Sequence, residues 1–226
     1  DWTFILHQGL NPQVVAGKAH LEALGSRDRG EVFRLRRQGA GPITLSYAGP
    51  LRGELERVEE GMGRSRQWTR GIIGTDGVVL DGNSGWYPRF PDSLQRFALQ
   101  VDLPSGWTAI AQGAGPNAVA TAEGARMSWR EDQPQDDIYL IAAPFVAYRQ
   151  PTAHGEAQVY LRNPDPELAQ RYLDATADYL AFYSDLIGPY PYAKFALVEN
   201  FWETGYGMPS FTLLGPQVIR LPFILK

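Results

Sequence analysis

The chain is 226 residues long and 44% hydrophobic, with 21 Lys and Arg against 25 Asp and Glu for a formal charge of −4. That is enough apolar material to bury a core, and the small, scattered charge leaves no electrostatic footprint for nucleic acid or an anionic membrane. Zero cysteines exclude a disulfide framework, a thiolate metal site and a cysteine nucleophile, and no apolar run approaches the roughly 18 to 20 residues that span a bilayer.

From Asp1 to about Arg162 the pattern is short and period-two. Ile43 to Tyr47, Phe97 to Val101 and Met127 to Trp129 each place alternate side chains on one face, and turn signals such as Asp76-Gly77 and Pro104-Ser105-Gly106 separate such runs. Strands are expected near residues 2–7, 31–36, 43–48, 52–58, 70–74, 96–102, 107–112, 117–121, 125–130, 137–142 and 157–162. So many strands without a helix favour packed or curved antiparallel sheets. Arg34, Arg36 and Arg37, the densest basic cluster, fit the wet face of a strand. Gly82-Asn83-Ser84-Gly85 reads as a turn and not a nucleophile site, since no base is positioned beside Ser84.

The grammar changes at Asn163-Pro164-Asp165-Pro166-Glu167. Asp165 can cap a helix, Pro166 suits its first turn because the missing N–H costs nothing there, and Glu167 faces the positive end of the dipole. Leu168, Tyr172, Ala175, Tyr179, Tyr183 and Leu186 then recur every three or four residues, defining one stripe that is expected to be buried core up to Gly188-Pro189. Extended runs follow over Lys194 to Glu199, Ser210 to Leu214 and Val218 to Leu221. A helix and strands after an all-β stretch imply a second unit, which divides the chain into 1–163 and 164–226.

Several segments resemble the alanyl (membrane alanine) aminopeptidase family of zinc metallopeptidases. In the first unit these are Gly77-Val78-Val79-Leu80, Gly85-Trp86-Tyr87-Pro88-Arg89-Phe90-Pro91 and Leu103-Pro104-Ser105-Gly106-Trp107. In the second they are Gly188-Pro189-Tyr190-Pro191-Tyr192-Ala193-Lys194-Phe195 and the strand at Gly207-Met208. The resemblance implies an N-terminal saddle-like antiparallel β-sandwich domain, followed by the first helix and strands of a thermolysin-like α+β catalytic domain. It also implies a cleft-edge strand whose backbone pairs with an extended peptide substrate. Glu203, Gly205, Tyr206, Gly207, Met208 and Pro209 are the substrate-binding candidates. Where the family's Gly-x-Met-Glu-Asn signature has the glutamate that binds the peptide's amino terminus, this chain has Pro209, without a carboxylate or an N–H. Glu199 and Glu203 lie close enough in sequence to supply that charge instead.

The family's zinc is held by His-Glu-x-x-His on a helix plus a distant glutamate. No such motif occurs here, and His7, His20 and His154 have no ligand spacing. The resemblance places the zinc helix after an Arg220 to Leu225 strand, beyond Lys226. The chain is therefore expected to be a fragment that binds no zinc itself and is inactive alone, its partners being the peptide substrate and the remainder of the catalytic domain. A non-catalytic peptide- or protein-binding scaffold is the first rival reading. A carbohydrate-binding module using Trp86, Trp107 or Trp202 as stacking platforms is the second. The non-Met start favours an exported, periplasmic bacterial protein.

Overall fold

The computed structural model describes residues 1–27, 30–51, 53–60 and 64–221, and the fold is mainly β. The first strands are β1 (Trp2–His7), β2 (Gln13–Ala16), β3 (Ala19–Arg27), β4 (Gly30–Arg37) and β5 (Thr44–Ser46). Next come β6 (Glu56–Glu60), β7 (Arg64–Trp68), β8 (Ile72–Ile73), β9 (Val78–Leu80), β10 (Gln95–Pro104), β11 (Thr108–Ala111) and β12 (Ala114–Ala120). They are followed by β13 (Gly124–Gln135), β14 (Leu140–Ala143), β15 (Val146–Thr152) and β16 (Gly155–Leu161). Helix α1 (Pro166–Ile187) precedes β17 (Lys194–Glu199), β18 (Gly205–Met208) and β19 (Phe211–Leu214).

Antiparallel sheets of order β1-β4-β3, β10-β13-β12 and β11-β14-β9-β8 build the first part of the molecule, with two-stranded ladders β2-β5 and β6-β7. Alternation places the side chains. In β13, Met127 and Trp129 point inward while Arg126 and Arg130 stay in water. Arg34 and Arg36 share Glu22 on an adjacent strand, as a solvated strand face does.

The five-stranded sheet has the order β15-β16-β17-β19-β18, with β16, β17 and β19 parallel and both edges antiparallel. It draws strands from both sides of residue 163. One face packs on the four-stranded sheet through Ile110, Ile141, Phe145, Tyr160, Val198 and Phe211. The other carries α1 on Ala157, Val159, Leu161 and Leu197. The sheet is the middle layer of a sandwich, covered on both faces as parallel strands require.

The expected helix signals act as read. Asp165 Oδ1 accepts the Leu168 N–H at 3.0 Å, Pro166 opens the helix, and the N–H of Gly188 (φ 111) closes it on the Ser184 carbonyl. Asp81 and Ser84 likewise form a reciprocal cap on a short 3-10 turn, so Ser84 is a buried turn residue.

Other expectations are corrected. The stripe on α1 is buried only in its first half: Leu168 and Tyr172 are 4% and 2% exposed, but Tyr179, Tyr183 and Leu186 are 49%, 52% and 64% exposed, since along the outer half a groove separates the helix from Phe195 on the sheet. Val218–Arg220 is a 3-10 turn and not a strand. Of the expected strand at 220–225, residues 222–225 lie outside the described residues, as does Lys226. Strands β2, β3, β7, β9 and β15 carry no expectation from the sequence, and the one expected at 52–58 runs later, at Glu56–Glu60. Strand β3 reads Ala-His-Leu-Glu-Ala-Leu, good helix formers, yet pairs with β4 from Ala19 to Arg27, so tertiary pairing overrides local preference.

Candidate functional site

Three strands and two turns position the candidate site. On β17, Lys194, Ala196 and Val198 face the first β unit, while Phe195 and Leu197 face α1. Strand β19 continues both faces with Phe211 and Leu213 on one and Leu214 on the other. Strand β18 closes the sheet, Tyr206 opposite Leu213 and Met208 opposite Phe211.

Tyr206 and Met208 pack on the core shared with the first unit, whereas a Cβ added at Gly205 or Gly207 would meet nothing within 4 Å. One side of β18 is anchored and the other is bare. The far edge of β18 pairs with no described strand, while within the hairpin the Tyr206 carbonyl accepts the Thr212 hydroxyl at 3.0 Å.

Pro209 lies beyond the strand, in a two-residue turn that returns the chain into β19. Proline at the first inner position and Ser210 at φ 66 in the second form the type II arrangement, so the missing N–H costs the β18-β19 ladder nothing.

The two candidate carboxylates have different fates. Glu199 is 2% exposed; one oxygen accepts the Arg162 N–H at 2.8 Å and the other meets the Arg220 guanidinium at 2.5 Å. It is a structural clamp. Glu203, half-buried in the loop before β18, accepts the Gln217 N–H at 3.0 Å with Oε1 and rests Oε2 over Gly215, where any Cβ would collide with it. The loop itself is pinned from the first unit: the Phe201 ring occupies the space a Cβ at Gly77 would need, 2.6 Å from it, and Arg162 lies over that ring at 5.6 Å.

Two features escaped the sequence reading. Lys194 is 1% exposed, and its Nζ donates to the carbonyls of Ala111 at 2.8 Å and of Gly113. Burial lowers its pKa from the usual lysine range to about 7, against the pull of Glu131 and Glu156. A charged residue in phase with Ala196 and Val198 on a buried face was the available signal. The second is a groove of about 640 Å³ between the outer half of α1 and the sheet, lined by Tyr179, Tyr183, Ile187, Tyr190, Pro191 and Phe195.

Among the described residues, no group of three or more His, Cys, Asp or Glu side chains is placed to hold a metal ion, and no helix is long and apolar enough to cross a membrane. Trp202 is 5% exposed, its ring edge-on to Phe201, and Trp86 and Trp107 pack against the core around Trp129, so none forms an exposed stacking platform.

No family model and no curated protein matches this sequence. Solved structures do. An M1 zinc metallopeptidase from Deinococcus radiodurans superposes with a TM-score of 0.66 at 18% identity, over 100% of this chain and 55% of its own. A point mutant of a two-domain M1 zinc metallopeptidase bound to L-arginine gives 0.63 at 17%, over 99% and 54%. A Deinococcus radiodurans mutant bound to a Tyr-Ser-Ala substrate gives 0.60 at 18%, over 96% and 53%. At such identity the likeness defines the fold: a mainly β chain with the architecture of the N-terminal part of M1 metallopeptidases. The chain spans about half the length of these structures.

Proposed function

We propose that this chain is the N-terminal portion of an aminopeptidase-like zinc metallopeptidase, with residues 1–163 as its β-saddle domain and 164–226 as the opening of its catalytic domain. In this reading the β18 edge binds the peptide substrate in an extended form, main chain to main chain. The observation that carries it is an edge that pairs with no described strand together with two glycines, Gly205 and Gly207, at which an added Cβ would meet nothing within 4 Å, at the end of a sheet otherwise covered on both sides.

Gly205 and Gly207 leave room for substrate, Tyr206 and Met208 fix the strand from behind, and the Pro209 turn ends it. Glu203 contributes negative potential near the peptide's amino end while held by Gln217. In this reading the metal of the whole protein has its ligands in the remainder of the catalytic domain, and this chain alone is inactive. The apolar groove under the outer half of α1 is the seat for that remainder, since roughly half-exposed tyrosines in a row gain most from being covered. An exported, periplasmic location goes with this proposal.

Replacing Glu203 by Ala and, separately, Gly207 by Pro in the full-length protein tests the reading. Loss of an edge hydrogen bond or of a charge contact should lower kcat/KM for short peptides by roughly tenfold. Unchanged efficiency in both variants rejects the cleft assignment.

A non-catalytic peptide-binding scaffold remains the second reading. Pro209, placed in a turn where the related signature has a glutamate, favours it. Hydrolysis of any dipeptide or tripeptide by the full-length protein removes it.

A further inference from the structure

We propose that Lys194 is a positioning residue for the β18 edge: from the buried face of β17 it ties the Pro209-Ser210 turn to the Gln112-Gly113 connection of the first β unit. The consequence for substrate rests on the peptide-edge reading above; the tie itself does not.

Lysine is an expensive occupant for this position. Its neighbours in phase on β17, Ala196 and Val198, are fully buried, and an apolar side chain would fill the same volume without removing an ammonium from water. The cost is offset by what Nζ reaches. It donates to Ala111 O at 2.8 Å and to Gly113 O, two carbonyls at the end of β11 and in the connection to β12, and stands 3.5 Å from Ser210 Oγ. An ammonium has three N–H groups for these three oxygens. The neutral amine can keep both carbonyl bonds and accept from the Ser210 hydroxyl, so the tie survives loss of the proton.

Each end of the tie is rigid. Gln112, 0% exposed, donates to the Asp137 carbonyl at 2.7 Å and accepts the Tyr139 N–H at 2.8 Å, and a Cβ at Gly113 (φ 86) would strike the Arg130 carbonyl. Ser210, 2% exposed, is fixed a second time where its carbonyl accepts the Ala196 N–H at 3.1 Å. Since Ser210 is one residue from the Met208–Phe211 pair, a shift of this turn moves the whole four-residue strand. Among the described strands β18 pairs with β19 alone, so its position depends on that turn.

Gln158 provides an internal control. From neighbouring β16 it donates to the Gly115 carbonyl at 3.3 Å, on the same stretch of the first unit, and its other hydrogen bonds go to Glu156 and Tyr160, none to the β18-β19 turn. A merely structural role for Lys194 would be reproduced by losing Gln158.

Hydrogen exchange on the Lys194→Met, Ser210→Ala and Gln158→Leu variants of the full-length protein, with wild type as reference, decides the matter. Exchange at the β18 and β19 amides should rise about tenfold in Lys194→Met, the scale of one charge-assisted hydrogen bond. Ser210→Ala should raise it several-fold at little cost in Tm, which keeps the test open should Lys194→Met fail to fold. Gln158→Leu should leave those amides unchanged. Unchanged β18 exchange in both Lys194→Met and Ser210→Ala, or an equal rise in Gln158→Leu, overturns the tie. In a parallel titration with the tripeptide Tyr-Ser-Ala, Lys194→Met should weaken binding. If wild type binds no tripeptide while the exchange pattern holds, the tie stands and the peptide-edge reading falls.

Discussion

Glu199 on β17 and Arg220, in the 3-10 turn that follows β19, meet at 2.5 Å, with the carboxylate 3% and the guanidinium 40% exposed. The second carboxylate oxygen takes the Arg162 N–H just beyond β16. One buried side chain thus joins the ends of two adjacent parallel strands to the chain beyond β19, and its negative charge is already spent.

Replacing Glu199 by Ala leaves the Arg162 N–H without its acceptor and frees a partly buried guanidinium. Since the guanidinium is 40% exposed and keeps the Pro216 carbonyl, the cost is mainly that of the orphaned N–H, about 1 to 3 kcal/mol. Urea unfolding should show the midpoint falling accordingly, whereas Glu203→Ala, on a half-buried loop residue, should cost about 1 kcal/mol or less.

Lys194 makes stability depend on pH in a defined window. With a pKa of about 7 when folded and 10.5 when free, the unfolded chain binds the extra proton between those values, so stability rises with pH from about 7 toward 10. Glu131 and Glu156 face the amine and oppose the shift, while Arg149 adds to it. Above about pH 10 the tyrosines, whose pKa values burial raises, reverse the trend because the native state then holds more protons. The slope between pH 7 and 10 should flatten in Lys194→Met, measured by chemical unfolding at each pH.

The two halves of α1 should respond oppositely to mutation. Ile187 is 79% exposed, so Ile187→Glu should change the stability of this chain by less than about 0.5 kcal/mol. Tyr172 is 2% exposed and donates to the Ile219 carbonyl at 2.6 Å, so Tyr172→Phe should cost about 1 to 2 kcal/mol. Thermal melts of the two variants distinguish the cases.

That contrast marks where sequence reading succeeds and where it stops. Asp165, Pro166 and Gly188 are local signals, and they fix both ends of α1 because caps act within one turn of the chain. The stripe from Leu168 to Leu186 records which face is apolar but not how closely the sheet packs on it, and along the outer half of the helix a groove opens between that face and β17. Strand β3 was invisible since its extended form comes from β4, not from its own residues. At the candidate site, the run at Lys194 to Glu199 was legible by composition, whereas the strand at Gly207-Met208 came from the family resemblance, its own residues reading as a glycine-bearing loop. The occupation of Glu199 by Arg220, of Glu203 by Gln217 and of Lys194 by two carbonyls more than 80 residues away was not legible, as these pairings depend on long-range closure.

The account turns on the edge of β18 that pairs with no described strand, and residue-resolved hydrogen exchange during titration with an extended tripeptide such as Tyr-Ser-Ala tests it most directly. The prediction is protection concentrated at Gly205–Met208, reduced by about 3- to 10-fold in affinity for each peptide amide that is N-methylated on the paired side. Protection confined to β15 at the opposite edge of the sheet, or to the groove beneath α1, would contradict it.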